Sequence, residues 1–236
     1  MADISTLYLI PTLLAENTQH EVLSPLVFET IKNLNHFFVE NERSARRFIS
    51  SLSLGVAIDG LKLHKLDKDT NEDEIASIIK NFRENNVSFG VMSEAGCPGI
   101  ADPGALAVGL AHKFGVKVVP LVGPSSLLLA LMASGFNGQS FVFHGYLPIE
   151  KAQRQATLKK LERDAISKKQ SQLFIETPYR NMALYADILQ VCQPDTKLCV
   201  ACDITTPTAV IKTLSVNDWK KTSIDLNKKP TVFIIG

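Results

Sequence analysis

The chain has 236 residues, of which 45% are hydrophobic and 21% charged, and its formal net charge is +1. This composition is typical of a globular protein with one large core or two smaller ones, and the near-neutral charge means that a nucleic-acid-binding surface would have to be a local patch. The longest apolar run, 127–133, is too short to span a bilayer, and no basic segment precedes an N-terminal apolar run. We therefore expect a cytoplasmic protein without a membrane segment.

Apolar runs alternate with helix-period segments along the chain, which predicts an α/β protein. The strands predicted in the first half lie at 6–10, 35–39, 61–66, 87–93 and 116–121. The clearest helix covers 71–85, where Asn71 can cap the first turn, and another is predicted at 105–113. We expect a mostly parallel sheet covered by helices.

The second half predicts a further sheet with its own helices. Its predicted helices lie at 125–134, 150–166 and 178–191, and its predicted strands at 141–144, 171–176, 198–203, 209–214 and 231–235. A short turn with Pro207 joins two of these strands as a hairpin, so this sheet should be mixed. Because Pro120, Gly123 and Pro124 punctuate the chain between the halves, we predict an N-terminal α/β domain over 1–121 and a C-terminal one over 122–236.

The segment 93–104 places three glycines and two prolines directly after a predicted strand. Glycine allows positive φ and a close approach of the main chain, whereas proline stiffens a loop. Stiff loops at strand ends often bind ligands. A structural turn that opens the next helix at Asp102 or Pro103 is an equal alternative.

Several common functional motifs are missing from the sequence. It contains no dinucleotide fingerprint, no phosphate-binding lysine loop, no H-E-x-x-H and no G-x-S-x-G. Cys199 and Cys202 form a C-x-x-C inside a predicted strand, where positions three apart point to opposite faces. No second pair or nearby histidine pair completes a zinc site, so we expect no metal.

Six motifs follow one another along the chain: Y-L-I-P-T at 8–12, V-E-N-E-R at 39–43 with Arg47, the loop 93–104, V-G-P-S-S at 122–126, F-H-G-Y-L-P at 143–148 and F-I-E-T-P-Y-R at 174–180. In this order they resemble the motifs of the tetrapyrrole methylase superfamily, and within it those of the small-subunit ribosomal RNA (cytidine-2′-O)-methyltransferases. The resemblance continues to the closing P-T-V-F-I-I-G of 230–236.

The resemblance implies a two-domain methyltransferase, usually a homodimer, that binds S-adenosyl-L-methionine in the cleft between its domains. By the same resemblance, the cofactor-binding residues are Pro11, Glu94, Gly96, Cys97, Ile100, Ala101, Ser125, Ser126, Asp203, Pro230 and Thr231. A sulfonium cofactor without phosphates suits a loop that offers main-chain groups.

Glu40 and Arg43 are the candidate catalytic residues. Methyl transfer is an in-line displacement that needs alignment and, for a hydroxyl nucleophile, removal of a proton. Glu40 follows a predicted strand and matches a family motif, with Arg43 about one helical turn further on. Arg43 could orient Glu40 or bind a substrate phosphate, and a purely structural ion pair at a helix start is an equal alternative.

The sequence departs from the ribosomal RNA enzymes at several positions. The segment Leu-Leu-Ala-Glu at 13–16 replaces Pro-Ile-Gly-Asn, Asn41 replaces an aspartate, and Cys202 and Thr206 replace an arginine and a lysine. The sequence also ends at Gly236, without the additional C-terminal segment of those enzymes.

Two local clusters of basic residues are candidates for RNA contacts. The stretch 151–169 holds seven basic and two acidic residues, and Arg43, Arg46 and Arg47 form the other cluster. The leading hypothesis is 2′-O-methylation of ribosomal RNA of the small subunit. The alternatives are methylation of a small molecule of the tetrapyrrole type, and a non-catalytic relative that binds the cofactor or RNA.

Overall fold

The computed structural model describes residues 5–236. The chain divides into two compact units, Met1–Ser125 and Ser126–Gly236, and each contains one five-stranded sheet. That the chain folds as two independent domains divided after residue 121 stays a prediction.

The sheet of the first unit is entirely parallel, whereas the sequence predicts a mostly parallel one. Its order is β3-β2-β4-β1-β5, and every neighbouring pair runs in the same direction. The strands are β1 Thr6–Ile10, β2 His36–Val39, β3 Lys62–Lys65, β4 Phe89–Met92 and β5 Lys117–Pro120. The central strand β4 is buried along its whole length. An uninterrupted apolar run is typical of a strand covered on both faces.

Helices cover both faces of this sheet. They are α1 Gln19–Val22, α2 Pro25–Lys32, α3 Glu42–Ser51, α4 Glu72–Glu84 and α5 Gly104–Lys113, with a 3₁₀ turn at Ile58–Gly60. Buried residues of α2 and α3 pack with Ile10 and Phe37 in one core, whereas those of α4 and α5 pack with Leu7 and Phe38 in another. The first unit therefore has three layers, with ligand-accessible loops left only at the two ends of its strands.

The sheet of the second unit is mixed, as predicted. Its order is β6-β7-β10-β8-β9, in which only β6 and β7 pair in parallel. The strands are β6 Phe141–Tyr146, β7 Ser171–Ile175, β8 Lys197–Cys202, β9 Val210–Ser215 and β10 Thr231–Ile235. The predicted hairpin is the antiparallel pair β8 and β9.

The helices of the second unit are α6 Ser126–Ser134, α7 Lys151–Lys168, α8 Asn181–Val191 and α9 Val216–Trp219. Helix α8 was predicted to begin at 178 but begins three residues later. The reason is local: Arg180 N donates to Thr177 O (2.9 Å) in a turn, and the buried Glu176 carboxylate accepts from Thr177 N and from the Arg180 side chain. Trp219 is buried in the core and donates through Nε1 to Leu198 O (2.8 Å).

A buried ion pair fastens α7 to α8. Arg154 Nε donates to Asp187 Oδ2 (2.8 Å), and Arg154 Nη1 donates to Ile149 O (2.7 Å). Asp187 Oδ1 also accepts from Gln155 Nε2 (2.8 Å). Because hydrogen bonds satisfy both charged groups, they offset the desolvation free energy of burying the ion pair. Across residues 5–236, no helix is long and apolar enough to cross a membrane.

Candidate functional site

The loops that follow β1, β2, β4 and β5 all leave the first sheet at one edge, because the strands are parallel. Ligands of α/β proteins bind at this carboxyl edge. Two of the loops are bonded together: Thr12 N donates to Gly96 O (2.9 Å), and Thr12 Oγ1 donates to Ser93 O (3.2 Å). Cys97 Sγ lies 3.3 Å from Pro124 O, which ties the loop after β4 to the loop after β5.

The loop after β4 has a fixed and unusual backbone. Gly96 has φ +76°, Gly99 has φ +82°, and Ala101 has φ +61°. Asp102 Oδ1 accepts from Gly99 N (2.7 Å) and Gly104 N (2.8 Å), so this carboxylate closes the loop and organises the start of α5. One interpretation of the sequence, a structural turn that opens the next helix at Asp102 or Pro103, therefore describes part of what the segment does, and Pro103 is the N-cap residue of α5.

Two glycines in these loops are required by close contacts. A Cβ on Gly96 would lie 3.1 Å from Pro124 O and 3.2 Å from Leu14 Cδ2, and one on Gly123 would lie only 2.2 Å from Pro11 Cβ. A Cβ on Gly99 would meet nothing within 4 Å. Gly96 and Gly123 thus let neighbouring loops touch, whereas Gly99 supplies only its backbone conformation.

The predicted cofactor residues of the first unit divide by exposure. Pro11 and Gly96 are buried, and Cys97 and Ser125 are half-buried. The exposed members are Glu94, Ile100 and Ala101, and Ile100 has 54% of its surface accessible. The buried members shape the loops, and the exposed members form the surface that a ligand could touch.

Three carboxylates lie close together at this edge. Burial, the nearby Asp102 and Glu94 raise the pKa of Glu40, although the backbone N–H of Glu94 partly offsets the shift by donating to it. Burial also raises the pKa of Asp102. Within residues 5–236, the second oxygen of Asp102, Oδ2, is buried and has no hydrogen-bond partner. The site therefore holds an acceptor that a bound donor could satisfy.

Arg43 does not pair with Glu40. Across the described part of the chain no ion pair joins the two side chains, and Arg43 is exposed in the first turn of α3. The backbone N of Arg43 donates to Asn41 Oδ1 (2.9 Å), which caps this helix. The alternative of a structural Glu40–Arg43 ion pair is therefore wrong. In the same cluster, Arg46 is held by Ile58 O (2.8 Å).

A pocket of about 410 Å³ opens between α3 and the loops after β1 and β4. Its apolar lining includes Leu13, Leu14, Phe48 and Met92, and its charged lining comprises Glu16, Arg47 and Glu94. The segment 13–16, where the sequence departs from the ribosomal RNA enzymes, lies on this wall. Sequence reasoning missed the pocket because it did not place α3, whose signals are the Asn41 cap and the apolar positions Ala45 and Ile49.

Three of the predicted cofactor residues of the second unit lie at one end of its sheet. Asp203 follows β8, has φ +51°, and donates its N–H to Pro230 O (3.0 Å), while Thr231 pairs with Cys202. Ser126 begins α6, which packs along β10.

The sheet brings three of these residues together. Asp203 N donates to Pro230 O, and Thr231 pairs with Cys202, the residue before Asp203. Ser126 stands at the start of α6, and the other end of this helix lies near Gly236, since a Cβ on that glycine would be 2.5 Å from the Phe136 ring. The structure thus brings together Asp203, Pro230 and Thr231 within the second unit.

Fewer cations of the basic stretch 151–169 are free to contact a ligand than its sequence indicates. Arg154 is buried against Asp187, Lys151 lies 3.9 Å from the same carboxylate, and Lys168 pairs with Asp164 at 3.2 Å. The exposed cations of this stretch that make no ion pair within the described residues are Lys159, Lys160, Arg163 and Lys169.

The cysteines lie in ordinary structural positions. Cys199 and Cys202 are both buried in β8, and all four cysteines are free thiols. Over residues 5–236, no group of three or more His, Cys, Asp or Glu side chains could hold a metal ion.

Curated proteins with similar sequences share one name. "Ribosomal RNA small subunit methyltransferase I" of Vibrio cholerae is 28% identical over 199 residues, which cover 84% of this chain and 65% of that protein. The protein of the same name from Bacillus subtilis is 30% identical over 192 residues, which cover 80% of this chain and 61% of that protein. The chain therefore spans somewhat less than two thirds of the length of these two relatives. No family model matches the chain.

Solved structures with the same fold are also methyltransferases or synthases. The methyltransferase CobJ has a TM-score of 0.62 at 17% identity, over 100% of this chain and 94% of that one. Diphthine synthase has a TM-score of 0.63 at 14% identity, over 98% of this chain and 88% of that one. Uroporphyrin-III C-methyltransferase of Thermus thermophilus, complexed with S-adenosyl homocysteine, has a TM-score of 0.55 at 16% identity, over 98% of this chain and 97% of that one. The resemblance to the tetrapyrrole methylases that six motifs predict is confirmed, in sequence by the ribosomal RNA small subunit methyltransferases I and in fold by these structures.

Proposed function

We propose that the chain is an S-adenosyl-L-methionine-dependent methyltransferase that modifies a ribose 2′-hydroxyl of small-subunit ribosomal RNA. The observation that carries the proposal is the rigid glycine loop after β4 at the carboxyl edge of a parallel sheet, in a chain 28% identical to a ribosomal RNA methyltransferase over 84% of its own length. When bound, the cofactor supplies an electrophilic methyl group on its sulfonium.

The chemistry of the loop fits this cofactor. It offers no lysine for a phosphate, and the cofactor has no phosphate. The unpartnered Oδ2 of Asp102 is an acceptor, and the cofactor carries an ammonium, ribose hydroxyls and an adenine amine as donors. The exposed side chain of Ile100 provides an apolar surface for the adenine ring. We assign the same role to the predicted residues Pro11, Glu94, Gly96, Cys97, Ala101, Ser125, Ser126, Asp203, Pro230 and Thr231.

Glu40 is our candidate for the general base. Burial and the neighbouring carboxylates raise the pKa of Glu40, which increases its affinity for the proton of a ribose hydroxyl. Arg43 makes no ion pair with Glu40 and is exposed beside it in sequence, which suits contact with a phosphate of the substrate. In this assignment Glu40 removes the proton and Arg43 helps to hold the nucleotide.

The pocket beside α3 is our candidate for the target nucleotide. Its volume of about 410 Å³ lies within the range of small-ligand sites. Phe48 offers an aromatic surface for a base, and Arg47 offers a cation for a phosphate. The leucines at 13 and 14 make one wall more apolar, and this observation favours a small apolar substrate, such as a tetrapyrrole, as the second candidate.

The deciding experiment measures transfer of labelled methyl groups from S-adenosyl-L-methionine. Purified small ribosomal subunits serve as one acceptor, and a small-molecule extract that contains tetrapyrroles serves as the other. Label in ribosomal RNA that depends on Glu40 would support the proposal. Label only in the small-molecule extract would replace it by the second candidate, and cofactor binding without any transfer would indicate a non-catalytic relative.

We also propose that the protein is a homodimer that acts in the cytoplasm, where ribosomes are assembled. Leu128 and Met132 lie one turn apart on α6 and are both exposed, Met132 to 79%. Two large apolar side chains on one helix face suit a subunit interface. Sedimentation of the parent and of Met132→Lys tests this proposal, because a charge at the interface should give monomers.

A further inference from the structure

Two exposed tyrosines stand at the same edge of the second sheet. Tyr146 ends β6 and Tyr179 lies in the loop after β7, with 58% and 76% of their surfaces exposed. Tyr146 pairs with Ile175, the last residue of β7, and these two strands are parallel. Both aromatic rings therefore leave the sheet at the carboxyl end of neighbouring strands.

Two cations accompany these rings. Lys228 Nζ lies 6.0 Å from the centre of the Tyr179 ring, and Lys228 N donates to Pro178 O (3.0 Å), which holds the two loops together. Glu176 chiefly, and Tyr146 to a smaller extent, raise the pKa of Arg180, which places this cation near the Tyr146 side chain. We call Tyr146, Tyr179, Arg180 and Lys228 the aromatic platform.

The platform has a net positive charge and an unsatisfied donor. Glu176 is the carboxylate bonded to it, and its buried side chain is neutralised by Arg180 Nη2 at 2.6 Å. Lys228 makes no ion pair within residues 5–236, so its charge is available to a ligand. Arg180 Nε is buried and has no hydrogen-bond partner within the described chain, whereas the Arg180 side chain as a whole is 40% exposed. An anionic partner could therefore contact Lys228 and the exposed part of the Arg180 side chain.

We infer that the aromatic platform binds single-stranded RNA. Exposed aromatic rings stack with unpaired bases, and adjacent Arg and Lys side chains contact the phosphates that join them. In this arrangement a base stacks on the face of Tyr179 that Lys228 leaves free, and Lys228 and Arg180 contact the backbone. The inference rests on the proposed RNA substrate and adds a binding surface that lies outside the predicted cofactor and catalytic residues.

The test measures the anisotropy of a fluorescent single-stranded RNA of mixed sequence during titration with the full chain. Tyr179→Ala should weaken binding about fivefold or more, because the stacking contact between the ring and a base is lost. Tyr179→Phe keeps the ring and should bind like the parent. Lys228→Gln should lower the slope of log affinity against log salt by about 0.7, as expected for one lost phosphate contact on a single strand. Phe141→Ala removes an exposed ring at the opposite end of β6 and is the matched control.

Two further measurements separate this inference from the proposed function. Methyl transfer to ribosomal subunits and calorimetric binding of S-adenosyl-L-methionine are measured on the same variants. If the parent methylates RNA but Tyr179→Ala binds RNA with unchanged affinity, the platform is refuted and the function stands. If the parent does not methylate RNA but binds it through Tyr179, the platform stands and the function fails. Conversion of a dimer to monomers by Tyr179→Ala, with RNA affinity unchanged, would assign the rings to a subunit interface and overturn the inference.

Discussion

Replacing Gly96 by alanine should destabilise the protein more than the same change at Gly99, although both glycines have positive φ. At Gly99 the added Cβ meets nothing within 4 Å, so the cost is the backbone conformation alone, about 1–2 kcal/mol. At Gly96 the Cβ would also lie 3.1 Å from Pro124 O and 3.2 Å from a Leu14 methyl. Displacing those atoms should add about 1 kcal/mol or more.

Thermal unfolding of the parent and of both variants measures this difference. For a chain of this size, 1 kcal/mol corresponds to about 2–4 °C in Tm, so Gly96→Ala should melt at least that much below Gly99→Ala. Calorimetry with S-adenosyl-L-methionine gives the second measurement. Because Gly96 O accepts from Thr12 N and Ser93 Oγ, a shift of this residue should disturb the whole loop and weaken binding more than Gly99→Ala does. Equal Tm values and equal affinities for the two variants would refute the reasoning.

Three other substitutions test charged groups. Glu40→Gln should lower the single-turnover rate of methyl transfer about a hundredfold and leave the cofactor affinity unchanged. The parent's rate should rise with pH through the raised pKa of Glu40, and the variant should lose this rise. A fall in rate of less than about tenfold, or ~1.4 kcal/mol, would show that Glu40 has a structural role. Burial raises the pKa of Asp102 in the folded protein. The Asp102 side chain therefore contributes stability below its unfolded pKa, and this contribution is lost as pH rises through its folded pKa. Asp102→Asn should flatten the dependence of the unfolding free energy on pH between acidic and neutral buffers, and an unchanged dependence would contradict the argument. Asp187→Ala leaves the buried Arg154 without its carboxylate partner. The free energy of unfolding measured in urea should fall by about 3–5 kcal/mol. A fall below ~1 kcal/mol would show that water reaches the Arg154 guanidinium.

The positions of the strands could be predicted from sequence because apolar periodicity is a local property. The run 231–235 was predicted with the bounds that β10 has, and the parallel character of the first sheet followed from the alternation of strands with helices. Helices α2 and α3 were not placed. Helix α3 carries Ala45, Phe48 and Ile49 at helical spacing, and all three pack in one core, so this helix could have been predicted from its sequence pattern.

The loop 93–104 could be recognised from its glycines and prolines, and the resemblance to known methyltransferases from six motifs in series. Sequence alone could not show that Gly123 lies against Pro11, or that Thr12 bonds to Gly96, because residues so far apart in the chain meet only when the strand order is set. The same packing raised the pKa of Glu40 through burial and through the nearby Asp102 and Glu94. It also buried Arg154 within a stretch whose sequence is typical of a solvated basic helix face. Local patterns thus determined the elements and the motifs, whereas burial and long-range contacts, which depend on how all the elements pack, decided which side chains share a site and which charges remain free.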